Sequence, residues 1–142
     1  MFHPLNAKIM MTINYDIAKR PVLGSENGEE KWFAHVKNGE KVTNRNLIFD
    51  IAKATSLTST DVMGVLESLF TDIPDHLLRG RTVVAGDLGT FYLTVRSEGT
   101  ENEEDFSAYN IKKVSIRFRP SKYLKNRIAG ANFIKYENGN HK

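Results

Sequence analysis

Gly80-Arg81-Thr82-Val83-Val84-Ala85-Gly86-Asp87-Leu88-Gly89-Thr90-Phe91 is the stretch on which the fold turns. Its first glycine, one residue after Arg79, suits the C-terminal stop of a helix. The period then changes to two. From Thr82 to Arg96, Phe91, Leu93 and Val95 fall on one face and Tyr92, Thr94 and Arg96 on the other. Gly86 and Gly89 bracket Asp87-Leu88, which predicts a turn or bulge early in this strand region.

Downstream, residues 97–105 read as a loop or flexible tip. A second strand follows, with Ile111, Val114, Ile116 and Phe118 set against Lys113, Ser115, Arg117 and Arg119. Pro120 ends it, and Ser121 can cap a short helix running through Arg127 or Ile128. Phe133, Ile134 and Tyr136 are predicted to form a last short strand.

Upstream lie two helices. Thr43 or Asn44 can cap the first, in which Leu47, Ile48, Ile51 and Ala52 recur at helical spacing. It should end near Thr55-Ser56. Thr58-Ser59-Thr60-Asp61 resembles a capping box with Asp for the preferred Glu. Behind it Val62, Val65, Leu66, Leu69, Phe70, Ile73 and Leu77 form a long apolar stripe. Pro74 lies inside that pattern and predicts a kink or a helix break. Two helices cannot bury the stripe alone; Leu66, Leu69, Phe70 and Ile73 need a sheet or a second subunit against them.

Residues 1–42 look like strands and loops. Met11, Ile13, Tyr15 and Ile17 alternate with Thr12, Asn14 and Asp16. Pro21 to Glu30 is a turn-rich break, Trp32, Ala34 and Val36 alternate again, and Asn38-Gly39 marks a turn. Two strands around a loop predict a hairpin, with Trp32 in core or hairpin packing. The order is β-hairpin, α, α, β-hairpin, short α, short β: an α+β chain. Its expected parts are a β-hairpin extension (1–42), a central domain (43–128), and a C-terminal strand and tail (129–142).

Composition narrows the function classes. The chain has 142 residues, 40% of them hydrophobic and 26% charged, which is globular. It has no cysteine, which removes disulfides, thiol nucleophiles and zinc–thiolate sites. No run approaches the roughly 18 apolar residues of a membrane span, and residues 1–13 do not read as a secretory signal. The expected address is the cytoplasm. His3, His35, His76 and His141 are scattered without ligand spacing, and no calcium loop, nucleophile elbow, Walker loop or dinucleotide fingerprint occurs. No metal, cofactor, small-molecule substrate or catalytic residue is expected.

The net charge of +3 hides an uneven distribution. Residues 98–105 hold five acids (Glu98, Glu101, Glu103, Glu104, Asp105) and no base, while residues 106–142 hold nine bases and one acid, Glu137. Lys113, Arg117 and Arg119 share one strand face; Lys122 and Lys125 follow at helical spacing, with Arg127 nearby. Cations spaced along a two-stranded ribbon can meet phosphates, and such a ribbon fits a DNA groove. A solvent-facing strand that is merely basic is the bland alternative.

The opening stretch looks like the segment of HU/IHF histone-like proteins that ends in Gly-Phe-Gly-Thr/Asn-Phe. Phe118-Arg119-Pro120-Ser121-Lys122-Tyr123-Leu124-Lys125 resembles that family's Phe-Lys-Pro-Gly-Lys-Ala-Leu-Lys. Asn44 to Ser59 resembles its first helix and the start of its second. The likeness spans about residues 43–128. Asp87-Leu88-Gly89-Thr90-Phe91, Ser97-Glu98-Gly99 and Asn110-Ile111-Lys112-Lys113-Val114 suit the Bacteroidetes-type subgroup with an N-terminal extension.

The resemblance implies an intertwined homodimer with a helical base and two β-arms that clasp duplex DNA. It implies a nucleoid-associated, histone-like, non-enzymatic function with little sequence specificity. The residues expected to carry it are Arg96, Lys112, Lys113, Arg117, Arg119, Lys122, Lys125 and Arg127. One departure stands out. The family's arm ends in an Arg-Asn-Pro tip whose proline wedges between base pairs. Here Ser97 to Tyr109 is acidic and lacks proline, so weaker bending or another docking face is expected. Phe106 and Tyr109 could replace the wedge or pack within the arm. The rival reading is a protein–protein module that keeps the dimer and has weak or no DNA binding. There the N-terminal strands would pair with Phe133 to Tyr136.

Overall fold

The computed structural model describes residues 12–137. The chain divides into two units, Val42–Arg127, and Met1–Lys41 with Ile128–Lys142.

The Val42–Arg127 unit begins with two capped helices. In α1 (Asn44–Ala54) the Asn46 N–H donates to Thr43 Oγ1 at 3.3 Å, and the Thr43 N–H donates back to Asn46 Oδ1 at 3.0 Å. In α2 (Ser59–Leu78) the Asp61 N–H donates to Thr58 Oγ1 at 3.2 Å and the Thr58 N–H to Asp61 Oδ2 at 3.0 Å. Each reciprocal pair satisfies amides that a helix start leaves open. Of the kink or break expected at Pro74, the break does not occur: α2 runs on to Leu78. Proline's fixed φ is helical, and its ring removes one backbone bond. The helix instead ends in a Schellman turn at Gly80 (φ 74), whose N–H reaches Leu77 O at 2.9 Å while Arg81 N–H reaches His76 O at 3.1 Å.

The strands of this unit follow in the predicted order. β3 (Val83–Ala85) turns through Gly86 (φ 52) into β4 (Gly89–Ser97), which pairs antiparallel with β5 (Ile111–Pro120). Ser121 then caps α3 (Lys122–Ala129): its Oγ accepts from Leu124 N–H at 3.0 Å and donates to Asp87 O. The Ser121 N–H also donates to Leu88 O at 3.1 Å, so the start of α3 is tied to the β3–β4 turn. The tip between β4 and β5 contains two single turns, Glu103–Asp105 and Ala108–Asn110, with Glu98 N–H to Asn110 O at 2.9 Å closing its base.

α1 packs on α2, and α2 rests against β3 and β4. Among the described residues only Ile48, Val62 and Leu77 are buried hydrophobics. Val65, Leu69 and Phe70 of the α2 stripe remain exposed, at 61%, 43% and 52%. The apolar face of the β4–β5 ribbon, including Val95, Val114 and Ile116, is exposed too. The sequence asked for a sheet or a second subunit against the stripe; within the chain, Val62 and Leu77 are buried while Val65, Leu69 and Phe70 stay uncovered.

The other unit is a three-stranded sheet in the order β2-β1-β6. β1 (Thr12–Pro21) and β2 (Glu30–Val36) form the predicted hairpin, and β6 (Asn132–Lys135) adds parallel to β1. Met11, first in the predicted alternation, lies outside the described residues, as do His3 and His141. Tyr136 falls just past β6, yet its N–H donates to Tyr15 O at 2.7 Å. Of the two settings expected for Trp32, core or hairpin, the structure places it in the hairpin, opposite Lys19 and 65% exposed.

Candidate nucleic-acid interface

The register of β4 and β5 decides which cations act together. Arg96 lies opposite Lys113, Thr94 opposite Ser115, Tyr92 opposite Arg117 and Thr90 opposite Arg119. Facing residues in a ladder share a sheet face. Arg96, Lys113, Arg117 and Arg119 therefore stand on one side of the ribbon. Along β5, neighbouring positions on this face lie about 7 Å apart. The opposite face carries the apolar set, with Phe91 and Phe118 stacked at 4.8 Å near its base.

Two of these guanidinium groups are held by neutral neighbours. Arg117 Nε donates to Thr94 Oγ1 at 3.4 Å, and Arg119 lies 5.9 Å from the centre of the Tyr92 ring. The ion pairs among the described residues are Lys19–Glu30, Lys31–Glu29 and Lys112–Glu98. None involves the four cations of this face. They are exposed, charged and free of carboxylate partners, which suits an anionic surface laid along the ribbon. Reading the sequence did not find Thr94 and Tyr92 as supports. Their alternation signalled the right face, but the cross-strand partner depends on register.

The other expected residues are placed differently. Lys112 has the parity of the apolar face, and its Nζ lies 3.1 Å from Glu98 Oε2 at the edge of the tip. A bulge between Arg96 and Ser97 adjoins it. Lys122 and Lys125 share one side of α3 at i, i+3 spacing. Arg127 is turned away from them by helical geometry. Its Nη1 donates to Tyr123 Oη at 3.3 Å, and that bond raises its pKa further above the ordinary value. The ribbon thus gathers four of the eight residues, α3 pairs two more, and Lys112 and Arg127 stand apart.

The acidic tip is ordered by its own side chains. Asn102 Nδ2 donates to Asp105 Oδ2 at 3.0 Å and Ser107 N–H to Asn110 Oδ1 at 2.9 Å. Phe106 is 44% exposed and Tyr109 91%, so Tyr109 does not pack within the arm. No group of His, Asp and Glu able to hold a metal occurs among the described residues. No helix among them is long and apolar enough to cross a membrane.

A family model describing an HU domain fused to a winged helix-turn-helix, Ig or glycine-rich motif matches residues 11–135. Among solved structures, the chain is similar to a protein from Bacteroides vulgatus provisionally described as a bacterial DNA-binding protein. The TM-score is 0.64 at 10% identity, over 93% of this chain and 51% of that one. The chain thus spans about half the length of that protein. It is also similar to an HU point mutant from Thermotoga maritima, with TM-score 0.46 and 23% identity over 61% of this chain and 99% of that one. No curated protein matches it. With the family model covering most of its length, the chain belongs to the HU-HIG family, whose members carry an HU domain fused to one of those motifs.

Proposed function

We propose that this chain is an architectural protein that binds and bends duplex DNA with little sequence preference, as a homodimer in the bacterial nucleoid. The observation that carries the reading is the ribbon face on which Arg96, Lys113, Arg117 and Arg119 stand together without carboxylate partners. These residues neutralise phosphates and set the arm on the duplex rather than read bases. Lys122 and Lys125 extend the contact along one side of α3, Arg127 adds charge on another side of that helix, and Lys112 joins once it exchanges Glu98 for a phosphate. An exposed pair of that kind is worth about 0–1 kcal/mol and yields readily. The reading is non-enzymatic and involves no cofactor or metal.

The homodimer rests on the uncovered α2 stripe. Burying an exposed Leu or Phe side chain is worth about 1.5–3 kcal/mol, and a second copy offers a matching apolar surface. DNA binding belongs to residues 43–128, and the β2-β1-β6 sheet is an addition to that domain. The provisional description of the Bacteroides vulgatus protein agrees with it. Arg117→Gln with Arg119→Gln should weaken binding similarly on all sequences and lower the salt slope by about 2. A loss confined to one sequence would contradict phosphate neutralisation.

A second reading keeps the dimer and replaces DNA with a protein partner. The exposed apolar sheet face and the acidic tip favour it. A folded dimer with no detectable DNA binding at physiological salt would select it.

A further inference from the structure

We infer that a second phosphate-binding point lies at the foot of the ribbon, built by Arg81 together with Arg119. It rests on the DNA-binding reading and lengthens the contact surface beyond the strands to the end of α2. A recess of about 460 Å³ opens there, with Leu77 at the helix side and Arg81, Thr82, Tyr92 and Arg119 around it. No carboxylate lines the recess, and neither arginine takes part in an ion pair among the described residues.

Both guanidinium groups are oriented by neutral neighbours. Arg81 is set by the Schellman turn, its N–H on His76 O at 3.1 Å. Its Nη1 donates to His76 Nδ1 at 3.3 Å. Arg119 lies against the Tyr92 ring at 5.9 Å. Neither partner neutralises a charge. The C-terminal end of α2 offers Arg81 only the partial charge of a helix dipole, and leaves Arg119 unanswered. Two guanidinium forks with the hydroxyls of Thr82 and Tyr92 suit a tetrahedral oxyanion. Because Arg119 is also the last cation of the ribbon face, the fitting source is a backbone phosphate of the same duplex; free phosphate has the same chemistry.

Titrating the full chain with a duplex of about 20 base pairs, and separately with inorganic phosphate, tests this. The readouts are affinity, salt slope, and the Nε–H resonances of Arg81 and Arg119. R81Q should bind the duplex roughly three- to tenfold more weakly, with the salt slope lower by about 1, and R81K should keep the slope. R81Q matching the wild type in affinity and slope, while R119Q weakens binding, would overturn the duplex contact and leave the function proposal intact. If the wild type fails to bind the duplex, the function proposal falls and phosphate alone decides. A saturable shift of both arginines, lost in R81Q, would uphold an anion site with free phosphate as its source. No shift would overturn it.

Discussion

Gly89 adopts φ 151, is buried, and lies where the ribbon leaves the β3–β4 turn. A Cβ there would sit 2.8 Å from Phe118 Cε2 and meet the Arg119 carbonyl oxygen. Gly89→Ala should therefore cost about 1–3 kcal/mol, read as a lowered urea midpoint; an unchanged midpoint would contradict the close approach. Asp61 gives a pH test. Its hydrogen bonds from the Thr58 hydroxyl and the Thr58 N–H hold its carboxyl below the ordinary value. A carboxylate depressed in the folded state adds stability above its unfolded pKa and loses it as pH falls through the folded one. Asp61→Asn should flatten the fall in melting temperature below about pH 4. An equally steep fall in the variant would count against the cap. Caps and glycine turns were legible in the sequence because their partners lie within a few residues. The Arg119–Tyr92 and Arg117–Thr94 contacts were not, since they join separate strands and need the register first.

Among the elements, α2 shows what periodicity can and cannot say. Its apolar stripe was readable from Val62 to Leu77, and so was its need for a further surface. The continuous helix through Pro74 was not, because a missing amide bond sets a cost without deciding whether the helix meets it. With Val65, Leu69 and Phe70 exposed in the single chain, Leu69→Glu should abolish self-association in light scattering and lower the melting temperature. A Leu69→Glu chain that stays dimeric would place the interface elsewhere. The ribbon was legible to the level of its faces. Alternation assigned Lys113, Arg117 and Arg119 to one side, and pairing added Arg96 while setting Lys112 apart. In the β2-β1-β6 sheet, alternation identified strands but not exposure. The pattern around Trp32 is the same whether its face meets a second layer or water.

At the scale of the whole chain, charge distribution carried more of the reading than net charge. A value of +3 is compatible with many functions, whereas a basic ribbon ending in five acids is not. That arrangement has a consequence of its own. If the tip approaches the duplex, replacing Glu101, Glu103 and Glu104 with Gln should raise DNA affinity most at low salt. Equal affinity would mean the tip points away from DNA. Family membership was legible because a glycine-marked and a proline-marked segment follow the two helices in order, and the likeness over about residues 43–128 lies within the 11–135 span of the family model. The proposal of nonspecific DNA binding is tested most directly by fluorescence anisotropy of a labelled random-sequence duplex of about 30 base pairs, titrated at two salt concentrations. Saturable binding whose affinity falls steeply with salt is the predicted result. A folded dimer that leaves the duplex unbound even at low salt would contradict it.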